Sequence, residues 1–307
     1  MESNPLTTRL AGLTLENPTI LASGILGYSA ESLHRVAKGG AGAVVTKSIG
    51  IEPRVGYANP TLVQAESGLI NAMGLPNPGI DLYTEEIKYS KIILRVPLIV
   101  SVFGYSAEEY AAVAQKAVAA GADAVELNVS CPHVKQTGAE IGQNSKLLAE
   151  VVDTVKATVD KPVIVKLSPN VTDIAAIARA AVEAGADALT AVNTLKAMAI
   201  DSETMRPVLS NIKGGLSGPA IKPVALRCVY EIREALPDVP IIGCGGITDW
   251  RDAVEFFLAG ASAVQVGSAI ALEDTEVFQA ITKGVEVYLR KKHYGSVKEI
   301  VGLAHRS

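Results

Sequence analysis

A cysteine that follows a predicted buried strand is the first candidate for chemistry in this sequence. Residues 122–130 form an apolar run with the β-branched character of a buried strand, and the run ends at Cys131, which precedes a proline. Because proline cannot donate to a sheet ladder, we expect Cys131 just beyond the carboxyl end of the strand, where α/β proteins bind ligands. A thiol near a carboxamide (Asn128) and a hydroxyl (Ser130) could act as a general base or a nucleophile. The alternative is a purely structural role, since free cysteines are among the most buried residues.

A motif that recurs four times predicts the surroundings of this strand. Gly-Ala-x-Ala, followed by apolar residues, starts at positions 40, 121, 185 and 260, each time after an alanine-rich helical segment. This spacing is typical of two βα units per copy. Four further apolar runs lie between the copies, at residues 19–25, 97–103, 162–168 and 240–246, which makes eight strands.

Eight such strands predict an α/β protein with a (β/α)8 TIM barrel. Near-continuous apolar runs indicate a parallel sheet buried on both faces, and eight parallel strands with crossover helices close most naturally into a barrel. A doubly wound open sheet is the alternative, but residues 23–27 match its glycine fingerprint poorly. Residues 6–15 predict an N-terminal hairpin against the barrel floor. The connections 49–96 and 195–218 predict long functional loops at the C-terminal face.

Composition and charge narrow the classes of function. The 307 residues carry a net charge of −4, which argues against a nucleic-acid partner, and no apolar run is long enough to span a membrane. The N-terminus lacks the basic and apolar regions of a signal peptide. Cys131, Cys228 and Cys244 are widely spaced, so we expect no disulfide framework, zinc site or iron–sulfur cluster in this chain. The sequence therefore predicts one cytoplasmic domain over residues 1–307.

Two glycine turns indicate a phosphate site at the predicted C-terminal rim. Gly245 and Gly246 follow the seventh strand, and Gly267 and Ser268 follow the eighth. Barrels commonly bind phosphate at this corner through backbone N–H groups. Ordinary tight turns are the alternative for each pair alone, and the two pairs together favour phosphate.

Two lysines in apolar strands indicate a ligand with negative charge. Lys47 and Lys166 lie near predicted strand ends, and either one alone could serve a structural salt bridge. The rim offers no cluster of carboxylates or histidines, so we expect no metal site and no carboxylate opposite the lysines. Two ammonium groups in one mouth then favour a planar, polar, anionic heterocycle. The other polar residues predicted at the rim are Ser23, Ser48, Ser101, Asn128, Asn193 and Thr194.

Six motifs in collinear order resemble one enzyme family. They occupy residues 71–79 (Asn-Ala-Met-Gly-Leu-Pro-Asn-Pro-Gly), 128–135 (Asn-Val-Ser-Cys-Pro-His-Val-Lys), 165–170, 192–194, 214–218 and 244–247. Together they resemble dihydroorotate dehydrogenase, the FMN enzyme of pyrimidine synthesis, from about Leu6 to the end of the chain. Cysteine at position 131 resembles class 1, the soluble form, whereas the membrane-associated class 2 carries serine there. Cys-Pro-His-Val-Lys resembles the class 1B catalytic subunit.

The resemblance implies a role for each candidate residue. Cys131 would be the base that removes the C5 proton of dihydroorotate while hydride passes from C6 to flavin N5. Lys166 would lie by the flavin N1 and C2 carbonyl and stabilise negative charge there. The implied substrate-binding residues are Lys47, Asn71, Ala72, Met73, Gly74, Leu75, Asn128, Asn193 and Thr194. The implied FMN-binding residues are Ser23, Lys47, Ser48, Asn128, Lys166, Val192, Gly218, Gly245, Gly246, Gly267 and Ser268. Many class 1 members have asparagine where this chain has Ser101.

The resemblance also implies a partner, because nothing in the sequence of this chain carries electrons away from FMN. In class 1B a separate subunit carries FAD and a 2Fe-2S cluster and passes electrons to NAD+, with a catalytic homodimer inside a heterotetramer. A class 1A homodimer that uses fumarate is the first alternative. A flavin enzyme acting on another dihydropyrimidine, or on dihydrouridine in RNA, is the second, and a non-catalytic flavin-binding barrel is the third. Lys47 favours orotate, since it offers a cation to a carboxylate that uracil lacks.

Overall fold

A closed barrel of eight parallel strands organises the chain, so the predicted (β/α)8 fold is confirmed. The computed structural model describes residues 4–130 and 141–306. Each barrel strand pairs with the next one along the chain, and the last pairs with the first. The strands are β1 (Thr19–Leu21), β2 (Ala43–Val45), β3 (Leu98–Val102), β4 (Ala124–Asn128), β5 (Val163–Leu167), β6 (Ala188–Ala191), β7 (Ile241–Cys244) and β8 (Ala263–Val266).

Helices connect successive strands and cover the outside of the barrel. They are α1 (Ala30–Lys38), α2 (Ile80–Ile93), α3 (Ala107–Ala119), α4 (Ser145–Lys156), α5 (Ile174–Glu183), α6 (Lys222–Ala235) and α7 (Trp250–Ala259), with α8 (Glu276–Lys291) after the last strand. Shorter helical turns are Ile141–Gln143, Pro219–Ile221, Ile270–Glu273, Val297–Ile300 and Leu303–His305. Within the described ranges, none of the helices is both long and apolar enough to cross a membrane.

The N-terminal hairpin closes the bottom of the barrel, as predicted. Its strands, Thr8–Leu10 and Leu13–Leu15, are antiparallel, and the side chains of Leu10 and Leu15 are fully buried. Both leucines pack against one layer of inward-facing apolar side chains: Ile20, Ala43, Val45, Ile99, Ala124, Ile164, Ala188, Ile242 and Ala263. The hairpin therefore keeps water out of the lower half of the barrel.

The two long connections differ from the predicted loops, because each contributes strands to a small sheet above the barrel. The strands Leu195–Ala197, Gly214–Ser217, Gly68–Asn71 and Leu62–Ala65 pair antiparallel in that order. Two further short strands, Ile200–Asp201 and Arg206–Pro207, pair with each other. The central pairing joins segments that are far apart in the sequence, so the local pattern of either segment could not indicate it.

Replacing Leu15 with alanine tests the closure by the hairpin. Because Leu15 is fully buried in the layer described above, Leu15→Ala should lower the free energy of unfolding by about 3 kcal/mol. The exposed neighbour Thr14 is a matched control, and Thr14→Ala should change it by less than about 0.5 kcal/mol. Urea unfolding followed by circular dichroism measures both. Equal effects of the two substitutions would contradict the closure.

Candidate active site

Above the apolar layer, the inward-facing side chains of the barrel become polar. Side chains alternate along a strand, so Glu126 and Asn128 on β4 share the inward direction of Ala124. Lys166 on β5 lies two residues after the inward-facing Ile164 and therefore also points into the barrel. Thr190 on β6 and Gln265 on β8 complete this polar layer, which lies between the apolar floor and the mouth.

Lys166 is held within a buried network. Its Nζ donates to Gln265 Oε1 at 2.8 Å and to Ser23 Oγ at 3.4 Å, and it lies 3.7 Å from Glu126 Oε1. Only 3% of Lys166 and none of Glu126 is exposed. Glu126 Oε2 in turn accepts hydrogen bonds from Gln265 Nε2 at 2.6 Å and from Thr190 Oγ1 at 2.9 Å.

For Lys166, this network corrects the expectation that no carboxylate opposes the lysines. Burial by itself lowers the pKa of Lys166, but the nearby carboxylate of Glu126 outweighs it, so that the pKa is raised above its ordinary value. The sequence shows Glu126 only as one polar residue inside an apolar run. Its position opposite Lys166 depends on how β4 and β5 are paired inside a closed barrel.

Lys47, which follows β2, differs from Lys166 because no described carboxylate is paired with its ammonium group. Burial lowers the pKa of its ammonium group, and no carboxylate among the described residues forms an ion pair with it. Binding an anion would offset this desolvation. Of the two predicted lysines, Lys166 is therefore paired with a carboxylate in the barrel, and Lys47 can bind a negatively charged ligand.

A chain of hydroxyl and amide groups crosses the ends of β2, β3, β4 and β6. Ser101 Oγ is 2.9 Å from Ser48 Oγ, and Ser48 Oγ accepts from Asn128 Nδ2, also at 2.9 Å. Asn193 Nδ2 donates to Asn128 Oδ1 at 3.2 Å. Among the described residues, each amide nitrogen has one acceptor and therefore keeps a second N–H for a ligand. Ser101 is fully buried and supports Ser48 through this contact.

The small upper sheet brings Asn71 to Thr194. Asn71 Nδ2 donates to Gly215 O at 3.4 Å, and a Cβ at position 215 would lie 2.1 Å from Thr194 Oγ1. Asn170 fixes the same segment, because its Nδ2 donates to Thr194 O at 3.0 Å. The remaining residues predicted to contact the substrate continue from Asn71 as an irregular segment: Ala72, Met73, Gly74 and Leu75.

Glycine turns form a corner where β7 and β8 end. A Cβ at Gly246 would lie 2.8 Å from Gly218 O, and a Cβ at Gly218 would lie 3.6 Å from Ser268 Oγ. Gly218 and Gly246 have positive φ angles of 96° and 77°, which side chains disfavour. Within the described chain, the backbone N–H groups of Gly246 and Ser268 have no acceptor. Such N–H groups suit a phosphate.

The other residues predicted to bind FMN lie around this corner or between it and Lys166. Ser23 contacts Lys166, and Gly267 lies beside Ala22, the residue before Ser23. The backbone N–H of Val192 donates to Cys244 O at 2.7 Å, which places Val192 against the strand end that precedes Gly245. Lys222 is near Gly246 but is paired with Asp252 and Glu255.

Cys131 lies outside the described residues, and the structure describes its neighbours only on the N-terminal side. Asn128 ends β4, and Ser130 Oγ is buried without a hydrogen-bond partner among the described residues. Tyr110 Oη donates to Asn128 O at 2.7 Å and fixes the end of the strand.

Sequence reasoning missed Glu126, Thr190, Gln265 and Asn170. One signal could have found the first three: each is a polar residue inside an apolar barrel strand, at a position with the inward parity of Asn128 or Lys166. Among the residues that the structure describes, no group of three or more His, Cys, Asp or Glu side chains could hold a metal ion.

The arrangement fits a flat polar ligand that carries a phosphate. Among the described residues, the glycine corner offers N–H donors without an acceptor, the Asn128 and Asn193 amides offer further donors, and Lys166 offers a buried positive charge. The residues present therefore fit FMN: the corner would hold its phosphate, and Lys166 would lie by its polar ring edge.

Comparison with known proteins identifies one enzyme family. The family model described as dihydroorotate dehydrogenase matches residues 5–289. The protein named dihydroorotate dehydrogenase B (NAD(+)), catalytic subunit, is 54% identical in Pyrococcus abyssi, over 97% of this chain and 99% of that protein. Its namesakes in Pyrococcus furiosus and Methanocella arvoryzae are 56% and 53% identical, over 97% and 98% of this chain and 98% of each relative. With the barrel and the polar mouth described above, these matches show that the chain belongs to the dihydroorotate dehydrogenase family.

Proposed function

We propose that this chain is the FMN-dependent catalytic subunit of an NAD+-linked dihydroorotate dehydrogenase, which oxidises dihydroorotate to orotate in pyrimidine biosynthesis. The observation that carries the proposal is that one of the two lysines is paired with a carboxylate and the other is not. The ammonium group of Lys166 is paired with the Glu126 carboxylate inside the barrel. Lys47 has no carboxylate partner among the described residues and can bind a substrate carboxylate. The family match and the relatives' names support the same activity.

The amide groups at the mouth bind the substrate ring in this proposal. Asn128 and Asn193 are joined by a hydrogen bond that fixes the direction of both amides, and Asn71 and Thr194 approach from the upper sheet. Amide groups match the alternating N–H and C=O groups of a dihydropyrimidine ring. The segment from Ala72 to Leu75 supplies backbone contacts to the carboxylate.

The amide groups, the glycine corner and Lys166 would together hold FMN. When bound, FMN supplies the acceptor for the hydride that leaves C6 of the substrate. The turns at Gly218, Gly245, Gly246, Gly267 and Ser268 would hold its phosphate, and the ammonium group of Lys166 would lie by its ring edge. Ser23, Ser48, Lys47, Asn128 and Val192 complete the contacts.

Cys131 removes the C5 proton as a general base. The proton acceptor is the thiolate at Sγ, because a neutral thiol is a poor base, and no covalent bond to substrate forms. An unperturbed thiol has a pKa of about 8.5, so the site must stabilise the thiolate near neutral pH. Class 1 enzymes use cysteine here, and the resemblance of residues 128–135 supports this assignment.

Electrons leave through a partner subunit in this proposal. The relatives' names contain "catalytic subunit" and NAD(+), which favours class 1B over the fumarate-linked homodimer. We propose a homodimer of this chain joined to a subunit with FAD and a 2Fe-2S cluster in a heterotetramer. We also propose that residues 1–307 form one FMN-binding domain and that the protein is cytoplasmic. The free thiols Cys228 and Cys244 are typical of a reducing compartment.

Anaerobic mixing of the FMN-loaded protein with dihydroorotate tests the activity. The visible absorbance of the flavin should bleach, because the substrate delivers two electrons to it. Dihydrouracil, which lacks the carboxylate, is the control and should bleach it far more slowly. No bleaching by dihydroorotate would refute the proposal. Reoxidation by NAD+ only when the partner subunit is present would separate class 1B from a fumarate-linked enzyme.

Cys131→Ala tests the general base. Flavin bleaching by dihydroorotate should slow by about 10²–10⁴-fold, since the C5 proton then has no positioned acceptor. The binding of FMN and of orotate should persist, and stopped-flow absorbance and orotate titration measure the two effects. An unchanged rate of bleaching would remove Cys131 from the mechanism.

Lys47→Met tests the carboxylate site. Loss of a charge-assisted hydrogen bond of about 1.5–3 kcal/mol should weaken orotate binding by roughly ten- to a hundredfold. Lys38→Met is the matched control, because Lys38 is exposed in the last turn of α1, and it should leave orotate affinity unchanged. Calorimetric titration measures both. Equal affinity of Lys47→Met and the wild type would show that another group binds the carboxylate.

A further inference from the structure

Glu126 is a fully buried carboxylate to which the proposed chemistry gives no role. Its two oxygens differ in their hydrogen bonding. Oε2 accepts two hydrogen bonds, from Thr190 and Gln265, whereas Oε1 accepts none from the described residues and lies 3.7 Å from Lys166 Nζ. The carboxylate is therefore anchored on one side and directs its other oxygen toward the ammonium group.

Gln265 joins the two charges in a fixed order. Its amide oxygen accepts from Lys166 at 2.8 Å, and its amide nitrogen donates to Glu126 at 2.6 Å. A reversed amide would place its N–H₂ against the ammonium and its oxygen against the carboxylate, so the two charges fix the orientation of the amide. Lys166 Nζ donates to Gln265 and Ser23, and Glu126 Oε1 lies 3.7 Å from the same nitrogen.

The groups that face Lys166 leave Glu126 as its counter-charge. β8 contributes Gln265, β1 is followed by Ser23, and both are neutral. β7 contributes the thiol of Cys244, whose pKa is raised by burial, so the thiol is uncharged near neutral pH. β4 contributes Glu126. A buried ammonium without a counter-charge loses its proton readily, so the charge of Lys166 depends on this one carboxylate among the described residues.

We propose that Glu126 is a positioning residue for the reaction: its buried negative charge keeps Lys166 in the ammonium form and aims it at the FMN site. The inference rests on the proposed function, because it gives Lys166 its partner at the flavin. Lys166 would then present a positive charge to the negative charge that a reduced flavin would carry at its ring edge. Glu126 itself touches neither substrate nor cofactor and acts only through Lys166.

The pH dependence of FMN reduction in the holoenzyme tests the inference. The reduction equilibrium is measured by redox-dye titration across about pH 6–10, where a buried lysine without its counter-charge titrates. In Glu126→Gln, Lys166 should gain a proton on flavin reduction over part of this range. The reduction equilibrium constant relative to wild type should therefore vary at least tenfold with pH, which is about 30 mV for a two-electron couple.

Two variants separate charge from packing. Thr190→Val removes a hydrogen bond from the same carboxylate but keeps its charge, so it should follow the pH profile of wild type. The double variant Glu126→Gln/Lys166→Met should lose the extra pH step, since the titrating group is gone. A Glu126→Gln profile parallel to that of wild type would overturn the inference, and so would a step that persists in the double variant.

A comparison without Glu126→Gln covers the case in which this variant fails to fold. With Glu126 in place, Lys166 should not titrate below its ordinary pKa of about 10.4, so wild type and Lys166→Met should have parallel profiles across about pH 6–10. A step that is present in wild type and missing from Lys166→Met would overturn the inference.

Protein stability separates a failure of this inference from a failure of the proposed function. If the purified protein holds no FMN, the proposed function fails, but Lys166 can still be followed by urea unfolding. Without Glu126, the folded pKa of Lys166 falls below the unfolded value, so the unfolded state binds more protons. Stability of Glu126→Gln should then rise as pH rises toward about 10.4, with at least a tenfold change in the unfolding constant relative to wild type. Parallel stability profiles would overturn the inference.

Discussion

The pairing of β8 with β1 is the contact on which the active site depends. Val264 pairs with Thr19, and this closure joins the two ends of a sheet whose strands are spread over most of the sequence. Without it, Ser23 and Gln265 could not meet at Lys166, and Gly267 could not lie beside Ala22. A closed parallel barrel has no free edge, so each strand is hydrogen-bonded to two neighbours. This pairing fixes the positions of the residues at the strand ends, which form the mouth.

Closure also creates a gradient of polarity along the barrel axis. The hairpin leucines and the apolar layer seal the floor, the layer that contains Glu126 and Lys166 lies above it, and amide and hydroxyl groups line the mouth. A dry floor strengthens electrostatic interactions between the buried charges and penalises either charge alone. The same floor that stabilises the fold therefore makes the charge of Lys166 depend on Glu126.

The upper sheet adds what the barrel itself does not provide. The barrel strands supply Asn128, Lys166 and the segment of Asn193, whereas Asn71 arrives on a strand that pairs with Gly214–Ser217 far along the chain. Gly215 lies between Asn71 and Thr194, where no larger residue would fit, so one close backbone approach sets how the two sides of the mouth meet. Substrate recognition is therefore shared between a rigid barrel and strands inserted above it.

The sequence by itself determined the eight strands, the hairpin and most of the residues at the mouth, because hydrophobic runs, helix ends and strand ends are local signals. Position along a strand is enough to place Lys166, Asn128 and the Gly245 and Gly246 turn at the carboxyl end. Only the tertiary structure decided which of these groups meet. The Glu126–Lys166 pair and the Ser101–Ser48 contact depend on register and closure, which are set by hydrogen bonds between distant segments. Glu126 thus appeared in the sequence as one polar residue in an apolar strand, and the closed barrel made it the partner of Lys166.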